Sequence, residues 1–268
     1  MNPAPAPSLP PTPYPLRLVR AARVALHLLR ALLAAALPYR RWDARQRLAF
    51  RQRWSRRLLD LLAIRLDAGP AEAPAGCLIV ANHVSWLDIF VINALRPAAF
   101  IAKTEVRAWP LIGWLAARND TVFLNRGSRQ HARRVNAEID ARLEAGCDIA
   151  VFPEGGTTDG ARLLDFHAAL LQPAVETGRP VWPLALSYHD AHGRRSLAPS
   201  FAGVSLPRCF AAILACRSLT VRLAPLPPMA TAGRSRRDVS RAAHEAIATR
   251  LGFLQPNRAP GTAPDLPA

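Results

Sequence analysis

A histidine and an aspartate, five positions apart, have the residue types and the spacing that acid–base chemistry requires. His83 follows the apolar run Cys77 to Ala81, and Asp88 falls in the first turn of the next predicted helix. A carboxylate at this spacing can reach one ring nitrogen, fix the tautomer and raise the basicity of the other nitrogen. The pair predicts a general base that works near neutral pH. The Ser85-x-x-Asp88 spacing also fits a capping box, in which Asp88 only caps the helix.

Two further apolar runs end in residues that suit anion binding. Arg126 follows the run Thr121 to Leu124 and stands beside Gly127, where its guanidinium can grip a phosphate through two nitrogens. The run Asp148 to Phe152 leads into glycines and hydroxyls, namely Glu154, Gly155, Gly156 and Thr157. Glycines allow the backbone amides to approach an anion closely, so we expect phosphate or oxyanion binding there. A plain turn between two elements is the alternative, because Gly, Thr and Asp are common turn residues.

Short apolar runs alternate with helix-length segments from Cys77 onward. The runs are 77–81, 98–102, 121–124, 148–152, 181–186 and 219–223, and the predicted helices are 85–95, 110–117, 129–145, 167–177 and 236–251. This alternation predicts an α/β fold with a mixed or mostly parallel sheet flanked by helices. Active sites of such sheets lie beyond the strand ends, where the residues above fall. Pro183 within the apolar run 181–186 predicts an edge strand or a bulge near the site.

Length and composition restrict the class of protein. The chain has 268 residues, of which 50% are hydrophobic and only 20% charged, so a disordered chain is excluded. Four cysteines exclude a disulfide-stapled scaffold, and the seven histidines show no metal-ligand spacing with them. We therefore expect no metal and no cofactor. The formal net charge is +16.

Most of that charge lies in one stretch. Residues 17–57 contain twelve arginines and a single acid, Asp43. Its first part predicts a basic amphipathic helix with a wide face of Leu, Val and Ala, and Trp42 to Leu66 predicts a partner helix. A wide apolar face favours docking on an anionic membrane surface over binding nucleic acid. The alternative is an ordinary helical pair that packs on the domain with solvated arginines.

A membrane-spanning segment and a cleaved leader are both disfavoured. The run Val24 to Leu37 has 14 residues and is interrupted by Arg30, whereas a span needs about 20 apolar residues. Arginines at positions 40, 41 and 45 directly behind this run oppose translocation. The predicted location is the cytoplasmic face of the inner membrane, peripheral or monotopic. We predict a disordered proline-rich tail at 1–15, membrane-docking helices at 16–68, a catalytic α/β domain at 69–253 and a disordered tail at 254–268.

Four short blocks, taken in order, resemble the glycerolipid acyltransferase family, and the bacterial lysophosphatidate acyltransferases in particular. The first is Asn82-His83-Val84-Ser85-Trp86-Leu87-Asp88, which contains a His-x4-Asp motif; the others are Phe123-Leu124-Asn125-Arg126, Phe152-Pro153-Glu154-Gly155 and Val181-Trp182-Pro183. Each block is weak alone, but four blocks in order at predicted strand ends are specific. The resemblance covers residues 77–187.

The resemblance implies acyl transfer from acyl carrier protein or acyl-CoA to the sn-2 hydroxyl of lysophosphatidate, giving phosphatidate. It makes His83 the general base, Asp88 its orienting partner and Arg126 the ligand of the acceptor phosphate. Glu154 and Gly155 then belong to the acceptor site. The predicted substrate-binding set is Asn82, Ser85, Arg126, Glu154, Gly155, Gly156 and Thr157. The implied partners are the acyl donor, a lysolipid and an anionic membrane, with no nucleic acid.

One departure from the family pattern bears on the acceptor. Such acyltransferases continue the third block with Thr, Arg and Ser, whereas this chain has Gly156, Thr157, Thr158 and Asp159. A related branch acylates lyso-ornithine lipid, whose headgroup carries an amine that Asp159 suits. That acceptor, or another lysolipid, is the alternative substrate. A non-catalytic basic protein that binds lipid or nucleic acid is the alternative from another class.

Overall fold

The computed structural model describes residues 10–36, 41–108, 112–124 and 129–253. Its strands are β1 Ile64–Ala68, β2 Leu78–Ala81, β3 Ala99–Lys103, β4 Val122–Leu124, β5 Ile149–Val151, β6 Val181–His189 and β7 Leu219–Pro225. Its helices are α1 Tyr14–Ala36, α2 Ala44–Leu61, α3 Asp88–Leu95, α4 Thr104–Arg107, α5 Ile112–Arg118, α6 Arg129–Glu144, α7 Gln172–Glu176, α8 Leu206–Ala215 and α9 Arg236–Leu251. These elements confirm the predicted α/β class.

One sheet with the strand order β1-β7-β6-β2-β5-β3-β4 runs through the domain. The five strands from β6 to β4 are mutually parallel, β7 is antiparallel to β6, and β1 is parallel to β7. The sheet is therefore mixed and mostly parallel, as predicted. The carboxyl ends of β2 and β5 lie side by side, because Val80 pairs with Val151. Residues that follow these two strands meet at one edge.

Helices cover both faces of the central strands, and the strand sequences reflect this. All four residues of β2 are buried, which is typical of a parallel strand with apolar partners on each side. Ile79 and Ala81 face a core formed with α2, α3 and α8. Leu78 and Val80 face a second core formed with α6, α7 and α9. The site thus stands on a strand that packing holds from both sides.

The predicted partner helix from Trp42 to Leu66 is too long. The helix starts at an Asp43 capping box and ends at Leu61, and Ala63 then adopts a positive φ of 56° that turns the chain. Ile64–Ala68 forms β1 beside β7 and alternates buried with exposed residues. Residues 64–68, which were predicted to belong to the docking helices, therefore form a strand of the sheet. Its period-two pattern spans only five residues, too few to stand out after a long helix.

Pro183 does not lie on an edge strand, but the pairing beside it is irregular, since Val181 bridges to Met229 and Leu184 pairs with Pro225. Pro183 lies in β6, the third strand of the sheet, and pairs with Val80 of β2. The ladder between β6 and β7 starts one residue later, at Leu184 and Pro225. Pro183 still accepts a hydrogen bond from the amide of Leu226. A proline is tolerated inside the sheet because the regular ladder on that side begins only after it.

Helix α1 packs on the domain through one side only. Val24, His27, Ala31 and Ala35 are its buried residues, and the His27 ring stacks on Trp54 of α2 with the centroids 4.6 Å apart. Burial lowers the pKa of His27, and nearby arginines lower it further. Arg20 donates hydrogen bonds to the carbonyl groups of Cys216 and Arg217. Part of the predicted basic face of α1 therefore anchors the helix to the domain.

The opposite side of α1 is apolar and open in the described part of the chain. Leu18, Val19, Leu26, Leu29 and Leu33 are each between 47 and 53% exposed. Trp114 on α5 is also exposed, and α5 reaches α1 through a hydrogen bond from Arg118 to the carbonyl of Ala35. Among the described helices, none has both the length and the hydropathy needed to cross a bilayer.

Candidate active site

His83 and Asp88 form the hydrogen-bonded pair that their spacing predicted. His83 follows β2, and Asp88 is the first residue of α3. Nδ1 of the imidazole lies 2.9 Å from Oδ2 of the carboxylate. The Asp88 side chain is 0% exposed and that of His83 is 19% exposed. A buried carboxylate thus faces a ring that solvent and substrate can reach.

The Asp88 carboxylate is held by four donors. Its Oδ2 accepts hydrogen bonds from the amides of Val84 and Ser85, at 2.7 and 2.9 Å, in addition to His83 Nδ1. Its Oδ1 accepts a hydrogen bond of 2.7 Å from the Tyr188 hydroxyl. The amide of Ser85 supplies half of the predicted capping box, but the Ser85 hydroxyl accepts from Leu87 instead of Asp88. Asp88 therefore combines local capping with contact to the imidazole.

The imidazole of His83 is fixed on two sides. It stacks on Phe152, with ring centroids 4.0 Å apart and planes 9° apart. With Asp88 on Nδ1, the remaining nitrogen, Nε2, makes no hydrogen bond to any described residue. A donor bond from Nδ1–H to the carboxylate leaves Nε2 with its lone pair free to accept a proton. The arrangement therefore suits general base catalysis.

The loop after β5 clamps the backbone of His83. Glu154 Oε1 accepts from the His83 amide at 2.7 Å, and its Oε2 accepts from the amide of Leu164 at 2.9 Å. The Thr158 amide donates to the His83 carbonyl at 2.9 Å. Burial raises the pKa of Glu154 above its ordinary value, while the hydrogen bonds from Leu164 and His83 oppose this. Glu154 thus joins two loops and does not point at a ligand.

Asn82 and Ser85, predicted to bind substrate, are buried. Asn82 donates to the Leu186 carbonyl at 2.9 Å and accepts from the Leu186 amide at 2.7 Å. Ser85 is fully buried below the Asp88 turn. Both side chains are engaged within the protein, and they support the site from beneath.

The glycine segment is the accessible part of the third block. Gly155 has a positive φ of 71°, which turns the chain after Glu154. Gly156 and Thr157 are partly exposed, and Asp159 is exposed with its carboxylate accepting from the amide of Ala161 at 2.9 Å. Arg126, the predicted phosphate ligand, lies outside the described residues.

Tyr188 is the site residue that sequence reasoning missed. It lies near the end of β6, and its ring is almost fully buried. The predicted run stopped at Leu186, although Tyr188 shares the strand face of Leu184 and Leu186 through their spacing of two. The continuing alternation is the signal that could have found it. No group of three His, Cys, Asp or Glu side chains among the described residues could hold a metal ion.

Comparison with known proteins extends this picture. The acyltransferase family model matches residues 67–187. The chain is 44% identical to a 1-acyl-sn-glycerol-3-phosphate acyltransferase of Neisseria meningitidis over 170 residues, covering 63% of this chain and 67% of that protein. It is 37% identical to a lyso-ornithine lipid O-acyltransferase of Pseudomonas aeruginosa, covering 72% and 75% of the two chains.

A solved structure shares the fold. The crystal structure of the 1-acyl-sn-glycerophosphate acyltransferase from Thermotoga maritima superposes with a TM-score of 0.62 at 23% identity, covering 90% of this chain and 99% of that one. The fold, the family model and the two relatives agree. The chain belongs to the acyltransferase family and is an acyltransferase.

Proposed function

We propose that this acyltransferase moves an acyl chain from a thioester, acyl carrier protein or acyl-CoA, to the sn-2 hydroxyl of lysophosphatidate. The product is phosphatidate, and His83 is the general base. The observation that carries the proposal is the 2.9 Å contact between His83 and Asp88, with Nε2 of the ring unengaged by the described residues. The similarity to the 1-acyl-sn-glycerol-3-phosphate acyltransferase of Neisseria meningitidis supports this acceptor.

The proton moves through the ring of His83. Nε2 takes the proton of the acceptor hydroxyl while the oxygen attacks the thioester carbonyl, and the Asp88 carboxylate stabilises the imidazolium that forms. The tetrahedral intermediate collapses with loss of the thiolate, which takes the proton back from Nε2. An ester forms and a thioester breaks, so no external acid is consumed. The sequence contains no Gly-x-Ser-x-Gly elbow, which favours direct attack over an acyl-enzyme.

Cations at the strand ends suit the acceptor phosphate. Lys103 is the last residue of β3 and is exposed. The parallel strands β2, β5 and β3 place it at the same carboxyl-end edge of the sheet as the segment that follows β2. Arg126 follows β4, the neighbour of β3. Lys103 provides positive charge that a phosphate monoester requires, and Arg126, two positions after β4 in the sequence, is the second cation that we propose for it.

A lyso-ornithine lipid acceptor is the second candidate, and Asp159 favours it. Its carboxylate is exposed beside the accessible glycine segment, where it can pair with a headgroup amine. The similarity to the lyso-ornithine lipid O-acyltransferase of Pseudomonas aeruginosa supports this acceptor.

A panel of acceptors distinguishes the two candidates. The purified protein is incubated with a labelled acyl thioester and lysophosphatidate, lyso-ornithine lipid or other lysolipids, and the products are separated. We expect phosphatidate to form fastest, and Asp159→Asn to leave its rate within about twofold, since a surface carboxylate outside the base pair contributes little. Acylation of lyso-ornithine lipid alone, with a raised KM in Asp159→Asn, would instead establish the second acceptor.

We also propose that α1 docks the enzyme on an anionic membrane from the cytoplasmic side. Its exposed leucines can sink into the headgroup boundary while His27 and its neighbours hold the helix on the domain. Arg23 and Arg30 lie between the buried and the apolar sides of the helix, where they can reach lipid phosphates. The arginines behind α1 favour the cytoplasmic side.

Charges placed on the open side of α1 should release the enzyme from membranes. Leu29 and Leu33 are 50 and 53% exposed, so each has about half of its surface to lose to lipid. Replacing both with Asp should weaken partitioning onto phosphatidylglycerol vesicles roughly 10- to 100-fold. Vesicle co-sedimentation at about 1 M salt, where surface charges are screened, measures the apolar part of the binding.

Leu197→Asp is the matched control. Leu197 is 64% exposed and lies in the loop after β6, outside the helix α1. This variant should sediment with vesicles like the wild type. If the double variant also remains bound, the docking face lies elsewhere.

A further inference from the structure

The hydroxyl of Tyr188 makes a contact that the acid–base pair alone does not require. It donates a 2.7 Å hydrogen bond to Oδ1 of Asp88, the oxygen that faces away from His83. The three other donors, His83 Nδ1 and the amides of Val84 and Ser85, all contact Oδ2. Tyr188 is thus the donor that distinguishes the two oxygens of the carboxylate.

This contact fixes the plane of the carboxylate. Without Tyr188, Oδ1 would be a buried anionic oxygen with no hydrogen-bond donor among the described residues, which is costly in a protein interior. The carboxylate would rotate or draw a proton to satisfy that oxygen. Burial, followed by the charge of Asp88, raises the pKa of Tyr188 well above its ordinary value, so the phenol keeps its proton and remains a donor.

We propose that Tyr188 is a positioning residue for acyl transfer, which holds the Asp88 carboxylate so that Oδ2 faces the imidazole of His83. The inference rests on the proposed role of His83 as the base. Tyr188 acts through Asp88 and contacts no reacting atom. Its place on β6, which pairs directly with β2, makes the sheet itself the frame for the pair.

Tyr188→Phe tests this role with little change in side-chain volume. We expect kcat to fall roughly 10-fold with the KM for the lysolipid unchanged, because the substitution disturbs the base and not the acceptor site. The acidic limb of the kcat/KM profile should move up by about 0.5 to 1 pH unit. An ionised Asp88 carboxylate that has lost a donor keeps more of its negative charge toward the ring and stabilises the imidazolium more strongly, which raises the pH at which the neutral base appears.

Other titratable groups face the pair, and they are unchanged in this variant. Glu154, from the loop after β5, interacts electrostatically with both His83 and Asp88. Cys209 of α8 interacts with Asp88 and Tyr188. Burial raises the pKa of both groups. Because neither side chain is altered, the difference between the two profiles reports the lost hydroxyl.

A matched variant separates positioning from general destabilisation. Trp182 is fully buried at the other end of β6, and its ring lies 5.3 Å from the guanidinium of Arg96. Trp182→Phe should lower the melting temperature at least as much as Tyr188→Phe, with the acidic limb unmoved. If both variants shift the limb equally, the Tyr188 effect is structural and the proposal fails.

A double-mutant cycle with Asp88→Asn gives the second test. If Tyr188 acts through the carboxylate, adding Tyr188→Phe to Asp88→Asn should cost less than about twofold more. A further 10-fold loss on that background would overturn the proposal. Full turnover in His83→Ala would instead remove the proposed function itself, whereas an inactive His83→Ala beside a fully active Tyr188→Phe would remove only this inference.

Discussion

His83→Ala is expected to lower thioester-dependent acylation by about 10³-fold or more, the typical cost of removing the base from a histidine–acid pair. The loss should appear in kcat, because Nε2 acts on the hydroxyl proton after the acceptor is bound. The fold should survive, since the ring is partly exposed and its main apolar contact is the stack on Phe152. Release of labelled product from the acyl thioester gives the rate, and thermal unfolding reports the fold.

His192→Ala is the control for a general effect of losing an imidazole. His192 is exposed in the loop after β6, and its ring makes no described contact with the site. This variant should retain wild-type turnover. If His83→Ala does so too, a different group removes the proton and the proposed mechanism is wrong.

Glu154→Ala should combine the largest loss of stability with a large loss of rate. The substitution leaves the partly buried amides of His83 and Leu164 without their acceptor. Two unpaired, partly buried amides predict a loss of about 2–4 kcal/mol in the free energy of unfolding. The base is also freed from its backbone clamp, and a displacement of about 1 Å can cost roughly 100-fold in kcat. Chemical denaturation and initial rates measure the two effects.

Asp159→Ala is the matched control, because it removes a carboxylate from the same loop. Asp159 is exposed and its carboxylate accepts one local amide hydrogen bond. We expect a change of less than about 1 kcal/mol in stability. Equal losses in both variants would mean that the bonds from Glu154 to His83 and Leu164 carry no special weight.

The stability difference between the wild type and Glu154→Ala should depend on pH. Burial raises the pKa of Glu154 above its ordinary 4.5, so the protonated form is the one that folding favours. The stability that the raised pKa of Glu154 contributes is fully present below pH 4.5. It is lost as the pH rises through the higher pKa of the folded state. The difference in the free energy of unfolding between the wild type and Glu154→Ala should therefore become smaller as the pH rises. A gap that widens over this range would contradict the raised pKa.

The local parts of the site could be predicted from the sequence. His83 and Asp88 are close because one turn separates a strand end from a helix start, and such spacing is visible in a single segment. Helix α9 was predicted over the range observed, and in the structure Ser235 caps its start and Gly252, with a positive φ of 78°, ends it. The alternation of strands and helices likewise predicted the fold class.

The contacts between distant segments could not be predicted in the same way. Tyr188 is 100 positions from Asp88, and only the pairing of β6 with β2 brings them together. The same pairing brings the Asn82 side chain to the backbone of Leu186. Asn82, which was predicted to bind substrate, therefore supports the structure instead. Glu154 likewise contacts the His83 amide through strands that pair across 71 positions. The sequence identifies the polar side chains, but the pairing of distant strands determines whether each one contacts the protein interior or can face a substrate.

The loop after β5 contains residues that hold the backbone of His83 and residues that leave open space beside them. Glu154 and Thr158 grip the base, whereas a side chain added at Gly156 would meet nothing within 4 Å. If this loop contacts the acceptor as proposed, substitutions at Gly156, Thr157 and Asp159 can change acceptor choice without loosening His83. One scaffold could thereby diversify among lipid headgroups while its proton-transfer machinery stays intact, and directed evolution of new acceptors should begin at those three codons.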